Sequence, residues 1–433
     1  MTENDNIAQA KLPEIERYQS DRLKELLGYL NANSPFYKAH FIQNNIDLST
    51  IESIEDLRSI PTTTKFDMQR HNWDFLCVAR QQIAEYASTS GTLGSPVTIA
   101  LTQTDIDRLA YNECQSFKIA GCDESDLFQL LLTLDRQFMA GLAYYAGIRN
   151  LGAGVIRVGP GLPMLQWDCI HKYKPSVLVA VPSFLIKLID YAAQHGFDPN
   201  ESSVQKIICI GESVKDQSMN WNALGKRIRD TWPIELHSTY ASTEMQTAFT
   251  ECDQQNGGHL QADLLIVEIL DDMLNPLPAG QVGEVTITTL GVQGMPLLRF
   301  QTGDMAMLME EPCACGRNTP RLSPILGRKN QMIKLKGTTI YPAGVAELIQ
   351  QCQQVKEYVI EAFTGDLGMD ELRIFIFTEP TAQNQVEQEL KQKFQSGLRI
   401  VPEILFTSKA TLDEKQMSGS ERKVNRFLDK RIF

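Results

Sequence analysis

The chain reads as an α/β protein. A large N-terminal domain of parallel and mixed sheets with helices and a β subdomain precedes a small α+β C-terminal domain. Three observations predict this. Short apolar runs at Leu127–Thr133, Val155–Val158, Val177–Val181 and Ile207–Ile210 alternate with amphipathic helical stretches, and strands apolar on both faces belong to buried, largely parallel sheets. From Leu264 the texture becomes antiparallel β, because Val267–Leu270 and Glu284–Thr288 flank the turn-rich Asp271–Gly283. After the polar stretch at Lys329–Asn330, strand and helix patterns alternate on a smaller scale to the end of the chain.

Taken in order, residues 13–33 predict a helix, since Ile15, Tyr18, Leu23, Leu26, Leu27 and Leu30 recur at helical spacing. Ile83–Ala87 reads as the end of a strand, and Ser183–His195 as a helix between two of the apolar strands. In the C-terminal unit, Gln331–Lys336 and Thr338–Tyr341 read as strands and Gly344–Gln354 as a helix. Tyr358–Phe363 and Leu372–Phe377 follow as strands, Gln383–Gln395 as a helix and Arg399–Phe406 as a strand, a β-α-β-β-α-β unit. The expected domains are residues 1–328 and 329–433.

Composition narrows the function. A chain of 433 residues can bury a large core and hold more than one domain. The N-terminus, Met1–Asn6, is acidic and polar, without the basic start or apolar segment of a secretory signal. No run of about 18 apolar residues predicts a membrane span. The 41 Lys and Arg against 53 Asp and Glu leave a net charge of −12, which argues against nucleic acid as the main partner but leaves anionic ligands open. Nine scattered cysteines fit a reducing cytoplasm.

Four segments carry chemistry. Ser88-Thr89-Ser90-Gly91-Thr92-Leu93-Gly94-Ser95-Pro96 packs hydroxyls and glycines into a loop suited to a phosphate chain, without the Gly-Lys-Ser/Thr of a P-loop. In Tyr240-Ala241-Ser242-Thr243-Glu244 a ring can cover a nucleobase, a hydroxyl can meet a phosphate and a carboxylate can hold Mg²⁺. Arg299–Asp304 places a carboxylate on a Gly turn where it can grip a ribose diol, and Gly327–Gly337 forms the fourth segment.

Together these segments resemble the adenylate-forming superfamily, and within it the phenylacetate–CoA ligase family. The Gly211-Glu212-Ser213 turn after Ile207–Ile210 and the ending Ser420–Arg426 point to that branch. The resemblance runs from about Leu12 to the C-terminus and implies two steps. A carboxylic acid and ATP give acyl-adenylate and pyrophosphate, and the thiol of coenzyme A then displaces AMP. Ser88, Thr89, Ser90, Gly91, Thr92 and Gly94 would cradle the β- and γ-phosphates. Val97 follows Pro96 where relatives outside the branch place a lysine, so the loop carries less fixed positive charge.

Tyr240 would stack on adenine, Glu212 would line the adenine side, Gly211, Ala241 and Ser242 would belong to the ATP/AMP-binding set, Thr243 would meet the α-phosphate and Glu244 would bind Mg²⁺. Asp304 and Arg328 would hold the ribose and the neighbouring phosphate. Residues 329–433 would act as a lid turning about Lys329–Asn330, with Asn330 at the hinge. Lys423, preceded by Arg422 where the family has Gly, would stabilise charge during adenylation. Gly337 would let the thiol arm of CoA pass the backbone. The acid pocket would involve Arg136, Phe138, Gly141 and Tyr145. Polar Asp135-Arg136-Gln137 replaces aromatic and glycine residues there, so a substituted or more polar aryl acid fits as well as phenylacetate.

A second constellation is Cys252 and His259 with Cys313 and Cys315, soft and borderline ligands suited to a tetrahedral structural Zn²⁺. Gly257-Gly258 permits the bend between the first pair. Some members of the resembled family carry the same four residues. Two other readings stay open: an adenylating enzyme that passes its acyl group to a carrier thiol or an amine, and a non-catalytic nucleotide-binding protein. The resemblance also allows a homodimer, although no heptad repeat demands one.

Overall fold

The apolar runs form strands and the periodic stretches form helices, in a computed structural model that describes residues 7–89, 96–335, 338–365, 369–398, 400–417 and 426–431. The strands are β1 (Ile83–Ser88), β2 (Thr98–Thr102), β3 (Leu127–Leu130), β4 (Gly154–Arg157), β5 (Val177–Ala180), β6 (Lys206–Ile210), β7 (Glu235–Ser242), β8 (Thr247–Glu251), β9 (Gly258–His259), β10 (Leu265–Leu270), β11 (Gly283–Thr289), β12 (Phe300–Ala306), β13 (Leu308–Met309), β14 (Arg321–Leu322), β15 (Gly327–Arg328), β16 (Ile333–Leu335), β17 (Thr338–Ile340), β18 (Glu357–Thr364), β19 (Asp370–Phe377), β20 (Glu403–Phe406) and β21 (Phe427–Lys430). The helices are α1 (Leu12–Asn33), α2 (Pro35–Gln43), α3 (Lys65–His71), α4 (Gln103–Ile119), α5 (Met139–Leu151), α6 (Pro163–Tyr173), α7 (Pro182–His195), α8 (Ala223–Thr231), α9 (Pro342–Gln350), α10 (Gln383–Gly397) and α11 (Lys409–Met417).

Two compact units result. Met1–Asn220, Gly225–Thr302 and Ala306–Ile325 form one, and Trp221–Leu224, Gly303–Met305 and Leu326–Phe433 the other. In the first, α1 buries Ile15, Leu23, Leu26, Leu27 and Leu30, the stripe its spacing predicts. Ser34 ends α1 and caps α2, its hydroxyl accepting from the Tyr37 N–H.

Among the described residues, nine strands join one sheet in the order β13-β14-β9-β8-β7-β6-β5-β3-β4. The stretch β7-β6-β5-β3-β4 is parallel, as the wholly apolar runs predict, and β8, β9, β14 and β13 continue it antiparallel. The chain places β4 on one side of β3 and β5 on the other, the reversal of strand order at which open α/β sheets commonly take their ligands. Phe117, Phe128, Tyr144, Ile148, Val177, Val179 and Ile208 pack α4 and α5 on this sheet. β10 and β11 pair antiparallel across the turn-rich Asp271–Gly283, as expected. β3 stops at Leu130, three residues short of the expected strand end.

In the second unit β16 and β17 form a separate hairpin, and the main sheet runs β20-β19-β18-β21. Its core joins Ile360, Ala362, Ile374 and Ile376 to Val345 and Ile349 of α9 and to Val386, Leu390 and Phe394 of α10. Two elements go beyond the expected pattern, α11 and β21, the latter pairing parallel with β18. β20 begins at Glu403 because the preceding Pro402 has no N–H to give a ladder; Arg399 lies outside the described residues.

Candidate active site and metal centre

The segments of the first unit expected to bind nucleotide sit at strand ends. Ile210 of β6 pairs with Thr239 of β7, so Gly211-Glu212 and Tyr240–Glu244 leave adjacent parallel strands at the same edge. Gly211 has φ +74°, a conformation glycine adopts freely. Glu212 turns to the start of α7, accepting from the Ser183 N–H at 2.8 Å and hydroxyl at 3.0 Å, where a helix N-terminus favours a carboxylate. Tyr240 packs partly on the core, its ring 5.9 Å from that of Phe249. Ala241 is exposed, and Ser242 closes the turn, its hydroxyl accepting from the Met245 N–H.

Thr243 and Glu244 lie on the turn between β7 and β8, which ends at Gln246 with φ +51°. Arg108, fully buried on α4, holds that turn in place. Its guanidinium donates to the carbonyls of Gln246 and Leu290 at 2.7 Å, to Leu264 at 2.6 Å and to the Thr247 hydroxyl at 3.0 Å. Charge-assisted bonds of this kind contribute about 1.5–3 kcal/mol each.

Glu244 carries a partner that sequence reasoning missed. The Lys65 ammonium lies 3.1 Å from its carboxylate, with both side chains mostly buried. Lys65 opens α3, whose N-cap Thr64 and Asp67 form a capping box. A cation at a helix start opposes the macrodipole, and that misfit was the available signal.

The segment expected to hold phosphates is framed by an antiparallel hairpin of β1 and β2, with Ser88 opposite Thr98. Thr89 is buried and closes the neck: its hydroxyl accepts from the Val97 N–H at 3.0 Å, and its own N–H donates to the Val97 carbonyl. Ser90, Gly91, Thr92 and Gly94 lie outside the described residues, as do Gly337 and Lys423. The Ser88 N–H donates to the Gln137 carbonyl, which ties the loop stem to the expected acid-pocket segment. Arg136 and Gln137 there are left-handed, at φ +58° and +57°.

The four residues expected to line an acid pocket differ in setting. Arg136 is 67% exposed and leans toward Asp135. Phe138 caps α5 and is partly exposed. Tyr145 is half-buried beneath the Arg157 guanidinium. Gly141 is buried so tightly that a Cβ would stand 2.1 Å from the Thr133 carbonyl, so its small size serves close packing.

In the second unit Asp304 and Arg328 pair across β12 and β15, with Arg328 Nε 3.3 Å from Asp304 Oδ1. Gly303 has φ +78°, so the carboxylate does sit on a glycine turn. Asn330 is exposed within the 3-10 turn Lys329–Gln331, and its carbonyl accepts from Arg431 at 2.9 Å. Arg431 also donates to the Met332 carbonyl at 2.7 Å and pairs with Asp370 and Asp429.

Cys252, His259, Cys313 and Cys315 converge in the first unit, their ligand atoms all within 4.8 Å of one another. Cys252 Sγ lies 3.7 Å from Cys313 Sγ, and Cys315 Sγ lies 3.4 Å from His259 Nε2. A tetrahedral zinc with Zn–S bonds of about 2.3 Å has S···S edges of about 3.7–3.8 Å, so the donor set fits that ion. Thr319 Oγ1 stands 3.3 Å from His259 Nδ1, which leaves Nε2 facing the thiols. Burial, with Arg317 and Arg321 nearby, holds the imidazole pKa down to about 4, in the neutral form a metal requires. Burial and the neighbouring thiols push Cys252 up to about 12. Gly257, at φ +86°, makes the bend that the sequence called for.

This architecture, an α/β unit and a small α+β unit, is shared with known proteins. Residues 48–294 match the family described as AMP-binding enzyme, and residues 337–431 match the AMP-binding enzyme C-terminal domain. The chain belongs to the AMP-binding enzyme family. It is 29% identical over 373 residues to a phenylacetate-coenzyme A ligase of Thermus thermophilus, covering 84% of this chain and 82% of that one. It is 24% identical over 440 residues to a phenylacetate-coenzyme A ligase of Pseudomonas putida, covering 99% and 97%. The fold also resembles that of 2-hydroxyisobutyryl-CoA ligase in complex with 2-HIB-AMP, with a TM-score of 0.85, 20% identity and coverage of 99% and 94%.

Proposed function

We propose that the chain is an ATP-dependent, AMP-forming acid–thiol ligase of the phenylacetate–CoA ligase type. The observation that carries the reading is the Glu244 turn, held by Arg108 at the carboxyl edge of the parallel strands, in a chain similar over most of its length to ligases of that name. In the first step a carboxylate oxygen attacks the α-phosphorus and pyrophosphate leaves. In the second a CoA thiol, losing its proton, attacks the acyl carbon and AMP leaves. The Ser88–Gly94 loop binds the terminal phosphates, Tyr240 covers the adenine, and Thr243 meets the α-phosphate. Asp304 and Arg328 hold the ribose side and Lys423 supports adenylation. Glu244 would hold Mg²⁺, which would supply charge neutralisation on the phosphates. Gly337 serves the CoA step.

The Cys252, His259, Cys313 and Cys315 cluster holds a structural Zn²⁺. All nine cysteines are thiols in the structure, which supports a reducing compartment. The acid is an aryl acid, phenylacetate or a substituted or more polar relative of it.

The test is pyrophosphate release with phenylacetate and a panel of ring-substituted aryl acids, with and without CoA. Acid-dependent pyrophosphate matched by CoA thioester is expected. Pyrophosphate without CoA consumption would point to a different acceptor, and no acid-dependent release would overturn the reading.

A further inference from the structure

A buried ion pair joins the turn after β6 to the cysteine cluster. The side chains of Lys215 and Glu251 are each only 2% exposed, and the Lys215 ammonium lies 3.0 Å from Glu251 Oε1. Glu251 is the last residue of β8 and directly precedes Cys252. The same ammonium donates to the carbonyl of Gln255, a residue between Cys252 and His259 in sequence. Gln255 is held in turn. Its N–H donates to the Cys252 carbonyl at 3.0 Å, and its side-chain amide to the Leu236 carbonyl of β7 at 3.1 Å.

On its other side Lys215 closes the turn that carries Glu212. The Ser213 hydroxyl donates to the Lys215 carbonyl at 2.7 Å and accepts from the Lys215 N–H at 3.2 Å. Glu251 Oε2 accepts from the Ser238 N–H of β7 at 3.1 Å, two residues before Tyr240. One pair of side chains therefore ties the Cys252–His259 stretch to both strand ends expected to meet adenine.

A buried ion pair adds little stability over apolar side chains of similar volume, but displacing either partner leaves the other charge uncompensated. A shift on one side of the pair is therefore passed to the other. Metal binding supplies the free energy that orders the chain around its ligands. Bonds to Cys252 and His259 would fix the Gln255 carbonyl and the start of the stretch at Glu251, and with them the ammonium. Coupling of this kind between two binding sites is reciprocal.

We propose that Lys215 is a positioning residue that couples the metal centre to the nucleotide site, so that zinc and an adenine nucleotide each tighten the binding of the other. The proposal rests on the readings of both sites given above. The coupling is about fivefold, at the low end for linked sites, because Glu212 is also held by Ser183.

The test uses the full chain. Competition with a chromophoric chelator reads zinc affinity, with and without saturating AMP, whose single phosphate competes little for zinc. Equilibrium dialysis reads AMP binding to the zinc-loaded chain. Wild type is expected to bind zinc about fivefold tighter when AMP is present. Lys215→Met combined with Glu251→Gln removes both charges and keeps an acceptor for the Ser238 N–H. In that variant the ratio should fall to within about twofold of one, the scatter of independent sites. A merely structural pair would lower stability and leave the ratio at its wild-type value. A wild-type ratio within about twofold of one, or an unchanged ratio in the variant, would overturn the proposal. If the variant does not fold, Ser213→Ala takes its place and is judged by the same ratio. A chain that binds no zinc would overturn the metal reading, and one that binds no AMP the nucleotide reading, and the proposal falls with either.

Discussion

Lys65 and Glu113 are the residues whose environments say most. Lys65 places an ammonium 3.1 Å from Glu244, beside the turn assigned to Mg²⁺ and the phosphates. The loop after Ser88 has Val97 where relatives outside the branch place a lysine, and in the proposed function Lys65 supplies positive charge at this turn. Lys65→Met should raise the KM for ATP about tenfold, the value of one charge-assisted contact of about 1.4 kcal/mol. Steady-state kinetics at saturating acid check this, and an unchanged KM would remove Lys65 from the site.

Glu113 is buried on α4, its Oε1 accepting from Asn112 and its Oε2 without a hydrogen-bond partner among the described residues. Burial pushes its pKa up to about 8 from an ordinary 4.5, so it is mostly neutral at pH 7. A raised folded pKa means that its contribution is full below about pH 4.5 and is lost as pH rises through about 8. Glu113→Gln keeps the Asn112 contact and cannot ionise. Its unfolding free energy, read by denaturant titration, should gain on the wild-type value from pH 5 to pH 8, by a few kcal/mol in order of magnitude. A margin independent of pH would show that Glu113 does not titrate in the folded protein.

At the scale of elements, the local pattern was legible where burial is uniform. Strands apolar on both faces, such as Val177–Ala180 and Lys206–Ile210, showed themselves as continuous runs. α11 and β21 did not, because β21 has only half-buried and exposed positions and α11 a weak apolar pattern. Their places come from contact with β18. The cysteine cluster joins three elements: Cys252 follows β8, His259 ends β9, and Cys313 and Cys315 lie between β13 and β14. A shared metal would tie them together. Purified protein should carry about one Zn²⁺ per chain, and Cys313→Ser should lower metal content and thermal stability together. Protein prepared without chelator and found free of zinc would rule the site out.

For the whole molecule, the two half-reactions should separate by residue. Lys423→Ala should slow acyl-adenylate formation by roughly 10²–10³, the worth of a charge-assisted contact in a water-poor site. Thioester formation from supplied acyl-adenylate should stay near normal. Gly337→Leu should do the reverse by obstructing the thiol. Single-turnover assays of each step distinguish the two, and equal losses in both steps for both variants would contradict the division of roles.

Residue order alone determined the α/β class, the parallel core strands, the antiparallel β region after Leu264 and the identity of the Tyr240–Glu244 and Cys/His motifs. Each of these depends on periodicity or on residue types close in sequence, which local physics makes readable. Tertiary structure alone decided the pairing of Lys65 with Glu244, the Arg108 brace behind the Gln246 turn and the burial of Lys215 against Glu251. It also showed that Gly141 serves packing and that Arg136 faces solvent. These contacts join residues far apart in the chain: Lys65 and Glu244 meet across 179 positions (244 − 65). Ion pairs and close approaches of that kind leave no local periodicity, so their partners emerge only once strand order and helix packing have brought them together.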